Sequence, residues 1–510
     1  MKALMQPLRW LAALWKAVRQ ARTRLNERMQ AHPPNRVLPL PACALMLLMM
    51  TIMLFVPSYL GLSNDGSFDI PMRDVGLKRL TPDDDSTYFS YYERTYQITT
   101  PARGTAETPL LIRLMLRAAI LLDTFFTKDS LFDVRWLAFL YLLPYIAAMY
   151  PILRFALKRV SVFSEGVLVA ALGVLMFADV SYTVRLTAFT SQPMEMILLT
   201  GMVGLLFRIT QSERMSASLI LFGLLAAAFS SVNHYFALGG FVLAGLCLAM
   251  IGLRRQSTWK VSCLLLALLI SLISIESLMR VQENQTDVDK YHAMTRGVLM
   301  QSQNPEDTLA DFGISPRYSI LADTYADQNY PVTQVSNELL QQEFLAQYDT
   351  LDISTYYMTH PGALLNMLDI GVKASFVTRS DFSGNYERSV GLPARAKSPF
   401  MGFWSTFKTR SAPRTLGFFL ILSFLLLFLY HREKLPGTRG KKKGEVKWGV
   451  WMTLAALIGF ALMQLLGVIL LSGDALLPRE TFIFSVCMDL MTLFALSELL
   501  HRLDIMNEKR

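Results

Sequence analysis

Long apolar runs separated by short charged connections dominate this sequence. Runs of about 17 to 25 residues, the length that crosses a bilayer as a helix, recur ten times along the chain. They lie at about 41–62, 134–157, 161–180, 191–208, 216–232, 235–253, 261–279, 414–430, 449–472 and 481–500. The pattern predicts an all-α polytopic membrane protein with about ten transmembrane helices.

Basic residues concentrate in every second connection between these runs. The basic connections contain Lys158 with Arg159, Arg208 with Arg214, Arg254 with Arg255 and Lys260, the stretch 432–447, and Arg502 with Lys509 and Arg510. Because positively charged loops stay in the cytoplasm, we expect both termini to be cytoplasmic in a multi-pass protein of the cell (plasma or inner) membrane. The alternate connections are then external, and two of them, 63–133 and 280–413, are long.

This topology divides the chain into five predicted regions. They are a basic cytoplasmic segment (1–40), a membrane domain (41–279) that includes the first external loop (63–133), an external loop domain (280–413), C-terminal membrane helices (414–500) and a cytoplasmic tail (501–510). In the first loop the apolar stretch 110–126 carries Arg113 and Arg117 four residues apart, which predicts a helix lying along the outer interface. In the second, a helical pattern over 335–348 and several X-Pro breaks favour a small folded domain.

Composition narrows the range of partners. The chain is 53% hydrophobic with a formal net charge of +9, but its basic residues flank apolar runs, as expected for contact with a lipid bilayer and not with nucleic acid. The four cysteines lie inside apolar runs without metal-ligand spacing and are predicted to be packing residues. The sequence has no phosphate-binding glycine loop, zinc-protease helix or serine elbow. We therefore expect any donor to be lipid-linked and to arrive through the membrane.

Acidic residues gather where the first span leaves the bilayer. Asp65 and Asp69 follow this span within a few residues, and Asn64, Asp65 and Gly66 are ordinary turn formers. This segment is either a turn with solvated acids or the position of a catalytic base or metal ligand. Further along, Asp84 lies in a run of three acids that either cap a helix or bind metal, and Tyr88 begins a tyrosine-rich stretch that forms an aromatic belt or a sugar-stacking face.

Arginines on the predicted outer side are candidates for binding a phosphate, since the planar guanidinium grips phosphate oxygens at two points. They are Arg73, Arg113, Arg117, Arg185 and Arg479. The alternative is that these side chains contact lipid headgroups. Asp489 lies deeper in a span than other acids, and an acid in that position normally pairs with another group or lines a cavity.

Four short motifs together resemble one family. They are Ser63-Asn64-Asp65-Gly66-Ser67-Phe68; the segment 182–196 with Phe189 and Gln192-Pro193; the segment 291–318 with Gly297-Val298-Leu299 and Asn304-Pro305; and Gly473-Asp474 through Arg479, Phe482, Phe484 and Asp489. From about Leu47 to Leu500 the chain resembles bacterial hexose transferases of surface-polysaccharide and surface-layer glycan assembly, which are glycosyltransferases of the GT-C type. Such enzymes take a sugar from a polyprenyl-phosphate carrier on the outer side of the membrane.

The resemblance implies roles for particular residues. Asp65, with Asp69 nearby, would be the catalytic base or a metal ligand, and Arg479 would contact the carrier phosphate. For a divalent metal such as Mg²⁺ or Mn²⁺, the candidate ligands are Asp65 and, from the run of three acids, Asp84. We expect further phosphate contacts from Arg185, Arg113 and Arg117, and substrate contacts from Asn64, Tyr88, Gln192 and Asp489. Similar proteins often carry an acid where this chain has Ser67 and another where it has Gln192.

The function expected from these observations is transfer of a hexose from a polyprenyl-phosphate donor to a surface glycan or a lipid-linked acceptor on the outer face of the membrane. A transporter or flippase for lipid-linked glycans is an alternative, although it should show repeated halves and polar breaks near mid-membrane. A polymerase or ligase acting on lipid-linked glycans and a non-enzymatic envelope scaffold are further alternatives.

Overall fold

The structure is a computed structural model of the chain, and it describes most of the sequence. Described are Gln20, Thr23, Asn26, Glu27 and residues 33–508, except 81–89, 102–105, 161, 212–215, 285, 327–334, 381–382 and 432–442. The acid Asp84 and the aromatic residue Tyr88 therefore lie outside the described residues, as does most of the basic segment before residue 33.

All ten predicted spans are helices, which confirms the all-α polytopic class. They are α1 (Pro39–Phe55), α2 (Arg135–Leu157), α3 (Phe163–Phe177), α4 (Gln192–Gln211), α5 (Ser216–Val232), α6 (Ala237–Met250), α7 (Ser257–Asn284), α8 (Leu416–His431), α9 (Lys443–Ser472) and α10 (Phe482–Glu508). Six are long and apolar enough to cross a membrane, counting α6 with its flanking 3₁₀ turns, and α3 makes a seventh when joined at a 47° bend to Val180–Thr187. The helices α1, α5 and α8 are apolar but shorter.

The helices pack closely inside the bundle and present apolar side chains outside it. Where α2 meets α4, the rings of Phe155 and Phe207 stack with centroids 3.6 Å apart, and a side chain at Gly204 would come within 2.5 Å of the Pro151 ring. On the outside of α7, Leu265 and Leu268 are more than half exposed. Exposed leucine side chains on a long apolar helix are the expected lipid-facing surface.

The first long connection contains a small sheet that the sequence did not predict. The strands β1 (Leu77–Arg79), β2 (Thr95–Ile98) and β3 (Leu131–Asp133) pair antiparallel in the order β1-β2-β3. Each has only three or four residues, too few for alternation of polar and apolar positions to be recognised. A short helix spans Asp69–Val75, and a longer helix spans Leu110–Thr127, over the stretch for which the sequence predicts an interfacial helix. Its Phe125 and Phe126 are more than 60% exposed, as expected of a helix with an apolar outer face.

The second long connection folds into short helices against the bundle. The α-helices are Asp287–His292, Pro305–Asp311, Glu338–Glu343, Thr350–Thr359, Pro361–Ser375 and Phe403–Arg410, with a π-helix at Ala293–Leu299 and 3₁₀ turns at Pro316–Leu321, Leu345–Gln347 and Arg388–Val390. Because α7 continues to Asn284, the connection begins later than the predicted residue 280. The pattern over 335–348 yields a helix over Glu338–Glu343 and a separate 3₁₀ turn.

This second connection is fixed to the loop between α9 and α10. Arg296 on the π-helix donates to both carboxylate oxygens of Asp474, with Nε–Oδ1 and Nη2–Oδ2 distances of 2.7 and 2.6 Å, and also pairs with Asp323. Beside this contact the backbones of Gly297 and Gly473 touch: a side chain at Gly473, where φ is +59°, would meet the Gly297 nitrogen at 2.7 Å. The connection is therefore held in place by charge and by close backbone contact.

A buried ion pair fixes the opposite end of the bundle. Arg159, two residues after the end of α2, donates to both carboxylate oxygens of Glu498 on α10, at 2.6 and 3.0 Å. Both side chains are at most 2% exposed, and Arg502 also contacts Glu498. Glu498 lies inside an apolar helix, where an acid normally pairs with another group, and this pairing gives it a structural role.

Candidate functional site

The turn that follows α1 presents Asp65 at the surface. Gly66 has a φ of +86°, in the left-handed region that glycine adopts without strain. Inside the turn, Asn64 is 3% exposed and its Oδ1 accepts from the backbone nitrogens of Gly66 and Phe68, at 2.9 and 3.2 Å. Asn64, predicted to touch substrate, thus holds the turn together with its side-chain oxygen.

The two candidate acids occupy different environments. Asp65 is exposed, and its Oδ1 accepts from the backbone nitrogen and the hydroxyl of Ser67. Its Oδ2 accepts no hydrogen bond from the described residues, so this oxygen is available to take a proton. Asp69 is also exposed, but its Oδ1 accepts from the Asn64 amide at 3.1 Å, and it does not line the pocket that Asp65 lines.

That pocket, which we call the acid–cation pocket, has a volume of about 320 Å³ and lies where four connections meet. Its polar lining consists of Ser63, Asp65, Ser67, Ser181, Arg185, Thr190, Gln192, Thr378, Arg379, Ser380, Ser383, Asn385, Lys397 and Arg479. Among these lining residues one carboxylate faces four cationic side chains, which makes the pocket electropositive and suited to an anionic ligand.

Arg185 is the most enclosed of the four cations. It lies in the bent segment after α3, and its guanidinium carbon lies 3.9 Å from the centroid of the Phe482 ring. Its Nη1 donates to the Gln192 side-chain oxygen and its Nη2 to the Thr378 carbonyl at 3.2 Å. Its buried Nε has no hydrogen-bond partner in the described part of the chain. A buried N–H group without a hydrogen-bond partner can donate a hydrogen bond to an oxygen of a ligand.

Arg479 lies across the pocket from the turn, on the short helix Leu477–Glu480 between α9 and α10. Its side chain is 40% exposed, and its Nε is 3.2 Å from a Glu480 carboxylate oxygen. Burial opposes the charge on this guanidinium, but the carboxylates of Glu480 and Asp65 outweigh burial and raise the pKa of Arg479 above its ordinary value. Arg479 is therefore a permanent cation within the electrostatic reach of Asp65.

The second long connection contributes a wall that sequence analysis missed. Arg379 donates to the Ser398 carbonyl at 2.7 Å, and Lys397 donates to the Arg379 carbonyl at 3.2 Å, which places both cations on this wall. The hydroxyls of Thr190 and Thr378 are buried without a hydrogen-bond partner among the described residues, and both threonines line the pocket. They are free to bind the hydroxyl groups of a ligand.

Other predicted site residues lie elsewhere. Asp489 is 1% exposed, accepts from the Tyr182 hydroxyl and pairs with Lys408 at 2.9 Å, so it is enclosed in a buried network outside the pocket lining. Arg113 and Arg117 lie on the helix Leu110–Thr127 and do not line the pocket. Among the described residues, no group of three or more His, Cys, Asp or Glu side chains could hold a metal ion, and the metal candidate Asp84 is outside that part.

Next to Arg479 lies a carboxylate pair that the sequence analysis did not select. The Asn233 side-chain nitrogen donates to Glu195 at 2.9 Å and to Glu480 at 3.2 Å, and all three side chains are buried. Glu195 stands one turn into the apolar helix α4, and an acid in that position is itself an indication of function or pairing. Depth within a span, the criterion that selected Asp489, does not select Glu195, because Glu195 lies only three residues after the start of α4.

The chain matches a family model over most of its length. This family model is described as the YfdI N-terminal transmembrane domain, and the match covers residues 28–510. No curated protein and no solved structure matches the sequence.

Proposed function

The chain belongs to the YfdI N-terminal transmembrane domain family, and from that premise we propose that it is a membrane glycosyltransferase that transfers a hexose from a polyprenyl-phosphate carrier to a glycan or lipid-linked acceptor. A transmembrane domain of this type fits such an enzyme. The observation that carries the proposal is the acid–cation pocket, in which Asp65 faces the cations Arg185, Arg379, Lys397 and Arg479.

The charges in this pocket suit the two halves of a glycosyl transfer. The Oδ2 atom of Asp65 takes the proton from the acceptor hydroxyl as that oxygen attacks the anomeric carbon of the sugar. The bond between this carbon and the phosphate oxygen breaks, and its electron pair leaves with the polyprenyl phosphate. Arg185 and Arg479 offer charged N–H donors to the leaving phosphate, whose negative charge grows as the bond breaks. The proton passes to Asp65 and the electron pair leaves with the phosphate, so the reaction requires no soluble cofactor.

The size of the pocket fits a sugar held by its hydroxyls. A volume of about 320 Å³ lies at the lower end of the range for small-molecule sites. The unpaired hydroxyls of Thr190 and Thr378 and the side chains of Ser380 and Asn385 provide donors and acceptors on the walls. The isoprenoid chain of the donor would lie outside the pocket, along the bundle in the bilayer.

The test is a transfer assay with purified protein in lipid nanodiscs. A panel of polyprenyl-phosphate hexoses is supplied with envelope glycolipid acceptors, and released polyprenyl phosphate is measured by mass spectrometry. We expect one donor to be turned over and Asp65→Asn to reduce its release about 100-fold or more, as for loss of a general base. Asp69→Asn should retain more than a tenth of the activity, because Asp69 does not line the pocket.

The matched control is Asp311→Asn, which neutralises an exposed acid at the end of the helix Pro305–Asp311. It should release carrier at the wild-type rate. If Asp65→Asn transfers sugar as fast as this control while keeping the same melting temperature, Asp65 is not the base. If no donor in the panel is turned over by the wild type, the proposed reaction itself is refuted.

A further inference from the structure

The helix Phe403–Arg410, near the end of the second long connection, turns its aromatic side chains outward. Phe403 and Phe407 lie one turn apart with their rings stacked, the centroids 6.5 Å apart, and they are 66% and 42% exposed. Phe400, just before the helix, is 44% exposed. We call these three residues the aromatic face. Large apolar side chains gathered at a surface indicate contact with another molecule or with a membrane.

The polar side chains of the same helix point into the bundle. Ser405 is 1% exposed, and its backbone nitrogen donates to Oδ2 of Asp179 at 3.0 Å. Lys408 is 3% exposed, and its Nζ donates to Oδ1 of Asp489 at 2.9 Å. A helix that borders water normally has the opposite arrangement, with its lysine outside and its phenylalanines inside. The inverted arrangement is the one expected where lipid surrounds the helix, since charged side chains then face the interior of the bundle.

The partners of this helix place it at the depth of the spans. Asp489, which accepts from Lys408, lies seven residues after the start of α10, about 10 Å along that helix at 1.5 Å per residue. Asp179, which accepts from Ser405, comes two residues after the end of α3. The helix therefore lies beside the ends of the spans α3 and α10, at the end of the bundle that contains the acid–cation pocket.

The neighbouring spans expose apolar side chains as well. The helix packs against α3, where Leu175 is 37% exposed, and the chain continues into α8, where Leu420 is 50% exposed. Arg410, at the end of the helix, is also exposed. An exposed cation next to an apolar face is the combination that lies at a membrane interface, with the cation at the lipid phosphates and the apolar side chains among the acyl chains.

We infer that the aromatic face lies in the bilayer, at the interface between headgroups and acyl chains, although it belongs to the connection that the sequence predicts to be an external loop domain. The partner is bilayer lipid. The three phenyl rings carry no polar atom, so they offer no hydrogen bond to the hydroxyls of a glycan, whereas acyl chains require none. The inference does not depend on the proposed sugar transfer.

An aromatic face in the interface also fixes the depth of one wall of the acid–cation pocket. Arg379 lies against the residues on both sides of Phe400. Its Nη2 donates to the Ser398 carbonyl at 2.7 Å, and a side chain at Gly402 would come within 2.7 Å of its Nη1. Insertion of the phenyl rings therefore holds Arg379 close to the level of the lipid headgroups.

Spin-label accessibility in nanodiscs of phosphatidylcholine and phosphatidylglycerol tests this inference. A nitroxide is attached at Phe403→Cys, and its collisions with oxygen, which concentrates in lipid, are compared with its collisions with a water-soluble nickel chelate. We expect the ratio of oxygen to nickel collisions to be about threefold or more above that of Asp311→Cys, an exposed position of the same connection. Leu265→Cys on the exposed side of α7 is the lipid-facing reference. The native cysteines are buried, so labelled wild-type protein gives the background.

Two further arms separate lipid contact from other coverings and from loss of folding. Phe400→Cys repeats the measurement in case the change at Phe403 disturbs the helix. A fluorophore on either cysteine should be quenched by phosphatidylcholine that carries a nitroxide near the headgroup end of its acyl chain, and a fluorophore on Asp311→Cys should not. Frequent collisions with the nickel chelate at both positions would show that the face borders water. Rare collisions with both reagents would show that a protein surface, such as a second copy of the chain, covers it. Either result, or absence of quenching by the labelled lipid, would overturn the inference.

Discussion

The side-chain nitrogen of Gln192 donates a hydrogen bond to the backbone carbonyl of Arg479, with 2.9 Å between the two atoms. The oxygen of the same amide accepts from Arg185. One glutamine therefore joins the two arginines that come from separate connections, because an amide can donate to one partner and accept from the other, whereas an ionised carboxylate can only accept. This dual role explains why a glutamine suits this position.

Replacing Gln192 should weaken donor binding before it affects chemistry. In Gln192→Leu both hydrogen bonds are lost, and because hydrogen bonds to charged groups contribute about 1.5–3 kcal/mol, we expect the KM for the polyprenyl-phosphate donor to rise about tenfold or more. Gln192→Glu keeps an acceptor for Arg185, but it places a carboxylate oxygen next to the carbonyl oxygen of Arg479, and two acceptors repel each other. The KM of Gln192→Glu should therefore lie at or above that of Gln192→Leu. Steady-state kinetics in nanodiscs provide the measurement.

The control for this prediction is Gln347→Leu, which removes an exposed amide of the second long connection. It should leave the KM within twofold of the wild type. A Gln192→Leu enzyme with an unchanged KM would show that the link between the arginines does not support donor binding.

The contribution of Arg479 to catalysis should depend on the planar geometry of its guanidinium group as well as on its charge. We expect Arg479→Gln to lower kcat/KM about 100-fold, a loss typical of one removed donor to a developing negative charge. Arg479→Lys should recover only part of this, to within about tenfold of the wild type, because an ammonium group is a point charge that cannot bind two phosphate oxygens in one plane. Transfer rates at varied donor concentration measure both effects.

Lys373→Gln is the corresponding control, because Lys373 is an exposed cation on the helix Pro361–Ser375 outside the pocket lining. Its kcat/KM should match the wild type. Full activity in Arg479→Gln would remove this arginine from phosphate binding.

The sequence identified three pocket residues from their positions at recognisable boundaries, and a fourth, Gln192, from the family resemblance. Asp65 lies in a turn just after an apolar run, and Arg185 and Arg479 stand in short polar gaps between runs. The polarity of a residue and its position relative to a span are local properties. Both can be read from the order of apolar and polar residues along the chain.

Tertiary contacts, which the sequence does not reveal, determined the rest of the site. Arg379 and Lys397 reach the pocket through a connection whose helices are short, and their positions depend on single hydrogen bonds such as that from Arg379 to the Ser398 carbonyl. Asn64 and Asp489 have the residue types expected of substrate contacts, but their polar atoms bind neighbours inside the fold. Residue type alone does not distinguish a polar group that stabilises a turn from one that faces a ligand.

The pair formed by Arg296 and Asp474 should stabilise the fold and also position Arg479. The two side chains are only 11% and 14% exposed, and Asp474 lies five residues before Arg479. Removing one partner of a buried pair leaves an uncompensated charge, so Arg296→Gln should lower the free energy of unfolding by about 3 kcal/mol. The donor KM should also rise. Denaturation in mixed micelles and donor kinetics measure the two effects.

A comparison pair lies in the same connection. Arg317 and Glu343 form an ion pair whose side chains are 61% and 43% exposed, and exposed pairs contribute less than about 1 kcal/mol. Arg317→Gln should therefore change neither stability nor KM appreciably. The double variant Arg296→Asp with Asp474→Arg, which swaps the two charges, should recover part of the lost stability. If it recovers none, and if Arg296→Gln has no larger effect than Arg317→Gln, the pair has no positioning role.

The orientation of the bundle in the membrane can be tested by cysteine labelling. The native cysteines Cys43, Cys247, Cys263 and Cys487 are all buried, so a membrane-impermeant maleimide should label the wild type weakly. In intact cells Asp65→Cys should react, because we expect the acid–cation pocket to face outward. Arg255→Cys, at the other end of the bundle, should react only after the cells are permeabilised.

The opposite labelling pattern would place the carboxylate and the four cations in the cytoplasm. A sugar carried on polyprenyl phosphate at the outer face could not then reach Asp65, so glycosyl transfer in the proposed location would be ruled out. Labelling of both positions in intact cells would instead indicate leakage, which the cytoplasmic control Arg255→Cys is present to detect.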